Sequence, residues 1–355
     1  MDLNKIFIKD ACPTKCGGQA VLEGIMMKGP ERSSVCVRLP DDSLYIKTEE
    51  NKKPSRVAKL PFIRGVFVFI ASLVQGMKTL MFSADVLEGY EGEGQIEYEE
   101  DKLSKWLTDK FGEKGAWNVM LYASVIFSIV FTVVIFIIGP TFVVNWAKHL
   151  TANEVVLNLI EGLLRIALFV IYVALIARME DIKRVFQYHG AEHKTIHCYE
   201  NDLPLTPENA QQFYTLHPRC GTSFLVFVMV IALALFSFLG WPNLLWRIVS
   251  RLLLLPVIAG ISYELLRWAG RSDSWVVKIL SMPGLWLQKL TTNEPDESQL
   301  EVAIAAMQAV IAEEGDYGIG RCDKKGRIIE HIDFTDKEEK SDPMLQIIET
   351  RETKL

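Results

Sequence analysis

Residues 116–147 run without a single charged side chain. A stretch that long and apolar satisfies its backbone only as a helix, and it exceeds the roughly 20 residues needed to cross a bilayer. That one segment rules out an ordinary soluble fold. Residues 155–177, 223–241 and 244–266 read as three further spans. Glu161 and Arg165 lie near the start of the second at i, i+4, where they can pair on one helix face. A short turn around Pro242 and Asn243 makes the third and fourth spans an antiparallel pair. Residues 60–83 are apolar too, but Arg64 and Lys78 leave only about a dozen uncharged positions between them, which favours an interfacial or buried helix.

Half of the 355 residues are apolar, yet 23% are charged, so the apolar residues are bunched into these segments. The expected fold is a mainly α-helical polytopic membrane protein of about four transmembrane helices. It carries a small N-terminal β-rich cytoplasmic unit and a cytoplasmic His/Cys loop. The β-rich unit covers 1–59, where Val35, Val37 and Leu39 alternate with Cys36 and Arg38 ahead of a turn at 40–43. Interfacial and amphipathic helices with an acidic loop fill 60–115, and transmembrane helices 1 and 2 fill 116–178. The His/Cys loop follows at 179–222, transmembrane helices 3 and 4 at 223–267, and interfacial and amphipathic helices at 268–314. In the last of these, Leu300, Ile304, Met307 and Ile311 form a stripe behind Pro295, a face that needs a partner in this chain or in another protein. The charged tail, 315–355, has too little apolar content to require folded structure.

Four spans put 1–115, 179–222 and 268–355 on one side. Lys and Arg concentrate there, so the N-terminus, the His/Cys loop and the C-terminus are expected to be cytoplasmic. Arg247 and Arg251, near the outer end of the fourth span, run against this and require snorkelling. Residues 1–10 lack the apolar core of a cleavable signal peptide. The six cysteines form no regular framework and read as reduced thiols or metal ligands. A net charge of −6 with no basic domain argues against direct nucleic-acid binding. The lipid bilayer is the partner the composition demands, and self-association is left open.

Four of the six histidines and two of the six cysteines fall within 188–222. On a helix, His189 and His193 are one turn apart and converge on one point, as in zinc enzymes. With Glu192 between them they make His-x-x-Glu-His, in which the carboxylate is the candidate general base. His217 and Cys220 add an imidazole and a thiol three residues apart, in a turn set by Pro218 and Gly221. All four of His189, His193, His217 and Cys220 would close a structural site, whereas three with water would make a catalytic one. Zinc suits mixed imidazole and thiolate ligands, and other divalent metals remain compatible. His197 and Cys198 are secondary candidates. Arg219 can steady an anionic group. Glu23, in a glycine-rich stretch, is either a surface strand residue or a group facing the loop. Cys12, Cys16 and Cys36 supply only three thiols and read as free.

Two segments, GGQAVLEGIMMKGP at 17–30 and YHGAEHKTIHCYE at 188–200 with HPRCGT at 217–222, resemble the YqhQ family of bacterial membrane proteins, whose function is unknown. The likeness extends through 60–83 and 285–303 and covers most of 15–310. It implies a bacterial plasma membrane protein and a predicted metal-dependent enzyme. The family signature falls on Gly17, Gly18, Gln19, Glu23, Gly24, His189, Glu192, His193, His217, Arg219 and Cys220. The likeness thus adds weight to a site role for Glu23. Two functions follow as expectations. One is a metal-dependent hydrolase with Glu192 as base. The other is a non-enzymatic scaffold or membrane-protein biogenesis factor whose metal is structural.

Overall fold

The structure is a computed structural model. It describes residues 16–51, 60–61, 63–90, 102–147, 153–238, 244–269, 274–311, 319–322 and 328–332. Cys12, most of the acidic loop and the Pro242 turn lie outside them. The chain forms two compact units. Met1–Glu91, Val173–Ile231 and Leu244–Leu355 make the first, and Gly92–Tyr172 with Ala232–Asn243 the second.

The first unit is built on an antiparallel meander of β1 (Gly17–Val21), β2 (Gly24–Lys28), β3 (Arg32–Arg38) and β4 (Leu44–Glu50). The β1–β2 turn has only Leu22 and Glu23, and Glu23 adopts φ +48°, a left-handed conformation that a residue with a Cβ rarely takes. Gly24 follows because a Cβ there would run into the Cys36 carbonyl. β5 (Ile319–Cys322) and β6 (Ile328–Ile332) extend the sheet in sequence order past β4. The tail that composition left without structure therefore contributes two strands. Strand pairing is made by backbone groups, so a free sheet edge can recruit a segment poor in apolar residues.

Every residue of β3 is buried, because both faces of the sheet are covered. Val21, Met26, Val35, Val37 and Tyr45 pack beneath Val86 of helix α1 (Ile63–Tyr90). The opposite face, with Ile25, Met27, Cys36 and Ile46, meets helices α5 (Glu180–Glu200) and α10 (Glu297–Ile311). The remaining helices are α2 (Lys102–Val133), α3 (Gly139–Ala147), α4 (Glu154–Ile176), α6 (Pro207–Gln211), α7 (Gly221–Ser237), α8 (Leu244–Ala269) and α9 (Trp275–Thr291).

The α10 stripe is buried as its spacing implied, with Leu300, Ile304 and Met307 at 1%, 5% and 0% exposure. Its partner is internal: the sheet and α5 cover the face that would otherwise await another protein. Asp296 starts the helix with a reciprocal cap, its Oδ1 accepting from the Gln299 amide while its own amide donates to Gln299 Oε1.

Among the described residues, four helical segments are long and apolar enough to cross a membrane: Ile63–Gly89, Ile126–Trp146, Glu154–Ile176 and Val249–Ala269. Three correspond to expected spans. The segment expected at 223–241 appears as the shorter apolar helix α7. The fourth candidate is α1, read from sequence as interfacial or buried. It qualifies because the helix runs well past Lys78 and because Arg64 stands in its first turn.

In the second unit, α2 is broken at Gly112, whose φ of +70° is open to glycine, and a π-helical turn, Val134–Ile138, joins α2 to α3. Glu161 and Arg165 pair as their spacing suggested, at 2.6 Å, and Thr141 donates to the same carboxylate oxygen at 2.7 Å. A buried carboxylate is tolerable only with such partners.

Candidate metal centre

α5 carries the histidine motif. Glu180 and Asp181 occupy its first turn, where the helix dipole favours negative charge. From Gly190 to Cys198 every residue is buried, an unusual state for a segment so polar. The sheet and α10 cover one side of it, and the connection from α6 to α7 covers another. Gly190 permits part of this closeness, since a Cβ there would collide with the Asn293 carbonyl just beyond α9.

One helical turn brings the His189 and His193 rings to 4.4 Å between centroids. Their Nδ1 atoms are each held by a backbone carbonyl: His189 by Thr291 at 2.8 Å and His193 by Thr215 at 2.5 Å. A carbonyl can only accept, so each Nδ1 carries the proton and each Nε2 presents its lone pair when the ring is neutral. His189 Nε2 lies 3.2 Å from Cys220 Sγ, and the ligand atoms of His189, His193 and Cys220 fall within 4.8 Å of one another. His193 Nε2 is buried and has no hydrogen-bond partner. Glu192 adds a carboxylate whose Oε1 accepts from the Gly18 amide at 2.8 Å, while Oε2 is buried without a partner.

Gln288 fixes the other side. Its side chain accepts from the His217 amide and donates to the His217 carbonyl, both at 2.8 Å, and it also donates to Ser223 Oγ. The turn holding Thr215 and Cys220 is thereby locked to α9. Cys220 Sγ also accepts from the amide and hydroxyl of Thr222.

Electrostatics follow from this crowding. Burial pushes the Cys220 thiol up, but the His193 and His189 imidazoles outweigh it and bring the thiol well below its ordinary range. Burial pulls His189 down, yet the Cys220 thiolate and Glu192 more than offset it, and the ring is raised to about 9. Burial raises Glu192, only partly countered by His189 and His193, so its carboxylate holds a proton more readily than usual.

His217 joins a different group. Its ligand atoms cluster with those of His197 and Glu200, and its ring lies 4.6 Å from His197 but 5.6 Å from His193. Here the donors are already engaged. His197 Nε2 donates to the Leu216 carbonyl at 3.0 Å, Arg219 forms an ion pair with Glu200, and the Arg219 guanidinium comes within 3.5 Å of His217 Nε2. A cation at that position opposes a metal ion. Burial also pushes His217 well below, and His197 to about 4, so both rings are neutral near pH 7.

Two site expectations land elsewhere. Arg219 faces Glu200, a residue that spacing alone gave no role. Glu23 is clamped by Arg184, and the Tyr188 hydroxyl donates to it at 3.2 Å, in the turn of α5 that precedes His189. The carbonyls of Thr215 and Thr291 and the Gln288 side chain had no local signal, since each acts through a contact distant in sequence, whereas Gly18 stood in the glycine-rich signature stretch, and a Cβ there would meet the Met26 carbonyl and the Glu192 carboxyl group.

The comparisons agree with the motifs. A 34% identity over 307 residues, covering 85% of this chain and 94% of the relative, links it to the uncharacterized protein YqhQ of Bacillus subtilis (strain 168). No solved structure matches. Residues 60–313 match the family described as protein of unknown function (DUF1385). By the extent of both matches, the chain is a member of the DUF1385 family.

Proposed function

We propose that the protein is a membrane-embedded metal-dependent hydrolase, with zinc bound by His189, His193 and Cys220 on the cytoplasmic side. The observation that carries this is a pair of buried atoms without partners, His193 Nε2 and Glu192 Oε2, beside a thiol and a second imidazole. Buried polar atoms are rarely left unpaired, and a cation satisfies the nitrogen and the sulfur together. Two imidazoles anchored at Nδ1 by carbonyls have the outer-shell arrangement that orients metal-binding histidines. Among the described residues this group has three donors, and a zinc held by three protein ligands would leave room for a small ligand. Zinc held there supplies Lewis acidity and activates water near neutral pH.

The protein's own groups do the rest. Glu192 Oε2 accepts the proton of the attacking water, and the raised proton affinity of this carboxylate suits it to hand the proton to a leaving group. The Gly18 amide fixes Oε1 and so fixes the direction of Oε2. Arg219, Glu200 and His217 form a polar cluster next to the ligands, with the His217 ring 5.6 Å from that of His193.

Cobalt(II) substitution tests the open position. With a thiolate and two imidazoles, the metal is expected to show sulfur charge-transfer and intense d–d absorption, and acetohydroxamate is expected to shift the d–d bands. Glu192→Gln should keep the metal and the bands but lose their pH dependence. Bands indifferent to hydroxamate in both proteins would instead indicate a closed, structural site, as the scaffold alternative requires.

A further inference from the structure

Length and composition qualify α1 as a membrane span, but its contacts run along one side of the first unit. Near its start, Arg64 pairs with Glu264, and Gly65 packs so closely that a Cβ would meet the Gly260 Cα at 3.0 Å. These α8 residues stand five to nine positions before Ala269, within about 15 Å of the helix end at 1.5 Å per residue. Phe69 lies 5.6 Å from Phe224, which is in the first turn of α7, just after Cys220. Further along, the Gly76 carbonyl accepts from Gln19 of β1, and Ser83 Oγ accepts from the Leu22 amide. Val86 closes the outer face of the sheet. The sheet is itself bound to the metal centre through the Gly18–Glu192 hydrogen bond.

A crossing helix would carry Val86 about 30 Å from Arg64 along the membrane normal. Here Phe69 touches α7 beside Cys220, while Gly76 and Ser83 touch β1 and its turn, so both halves of the helix meet elements that border the same site. Counting crossings gives the same answer. Among the described residues between Tyr90 and Glu180 there are two candidate spans, Ile126–Trp146 and Glu154–Ile176, which return the chain to its starting side. A third crossing by α1 would set β1 and α5 on opposite faces of the membrane, which their hydrogen bond forbids. The face of α1 turned away from these contacts is an apolar stripe. Ile63, Phe67, Ile70, Val74, Met77 and Met81, spaced three or four apart, are each 37–58% exposed.

We infer that α1 does not cross the membrane but lies in its interface, on the side of the sheet and the metal centre, with this stripe seated in lipid. Helices α7 and α8, against which its first half packs, also carry exposed apolar side chains, among them Leu225, Val230, Leu253 and Val257. The consequence is that the metal centre is held at the membrane surface by a helix in the bilayer plane.

The test is sidedness in the full chain. A protease site is inserted after Tyr90, with a second variant carrying it after Gln95 and a reference variant carrying it after Asp41 in the β3–β4 turn. In sealed right-side-out and inverted vesicles, all three are expected to be cut from the same side. Cleavage after Tyr90 or Gln95 from the side opposite Asp41 overturns the inference. Independently, photo-reactive benzoylphenylalanine at Val74 should yield lipid adducts, whereas adducts only to a second copy or another protein would remove lipid as the occupant.

Discussion

Gln288→Leu isolates what holds the candidate metal centre together. The native amide is fully buried and joins α9 to both backbone groups of His217. Leucine has similar volume but neither donor nor acceptor, so the His217 N–H and C=O become buried and unpaired. Each such group costs about 1–3 kcal/mol, and the added apolar burial returns about 1 kcal/mol, for a net loss of roughly 1–5 kcal/mol. For a protein of this size that lowers the melting midpoint by roughly 1–7 °C. The effect should also reach the ligands, because Thr215 and Cys220 flank His217 on the same turn. Loss of outer-shell support weakens metal affinity by about 10- to 100-fold in comparable sites. Tryptophan-fluorescence melts in detergent and chelator competition for zinc measure the two effects. A melting midpoint and an affinity both equal to wild type would refute the idea that Gln288 organises the site.

Three shorter predictions follow. Gly190→Ala drives a methyl group into the Asn293 carbonyl, and the Asn293 N–H, which donates a hydrogen bond to the Phe186 carbonyl, ties that loop in place; a loss of about 2 kcal/mol or more is expected from melting curves, with Tyr199→Ala at an exposed position as the neutral comparison. His197 is held near 4 when folded, against about 6.5 unfolded, so the metal-free protein keeps this contribution above pH 6.5 and loses it as pH falls through 4. That gap is worth about 3 kcal/mol, and His197→Gln should flatten the acid limb of stability against pH, which urea titration between pH 4 and 7 would reveal. Arg184→Met removes the clamp on left-handed Glu23; since the pair is partly exposed, a loss of about 1 kcal/mol or less is expected in melts, and Glu23→Gly in that background should recover part of it.

What could be read in the sequence was what local spacing encodes. The uncharged runs marked helices long enough to span, the alternation in β3 marked a strand, and i, i+4 spacing placed His189 and His193 together and paired Glu161 with Arg165. The α10 stripe was legible, although spacing could not say whether its cover was internal. Contacts between distant segments left no such trace. Gly18 meets Glu192 across 174 positions and Gln288 meets His217 across 71, and neither pairing has a periodicity that points to it. His217 shows the limit well. Its spacing from Cys220 suggested a shared ligand set, but the Pro218–Arg219 turn sends the thiol toward His189 and the imidazole toward His197 and Glu200. For α1, Arg64 and Lys78 pointed to an interfacial or buried helix, while its length and apolarity also qualify it as a span, since helices of one composition can cross a membrane or lie in its surface.

The most direct measurement is zinc per chain, by mass spectrometry, on protein purified without chelators: wild type beside His193→Gln, Cys220→Ser and His217→Gln. One zinc in wild type and in His217→Gln, with loss in the other two, is the expected result. No metal in wild type, or zinc lost from His217→Gln as fully as from Cys220→Ser, would contradict the ligand set of His189, His193 and Cys220.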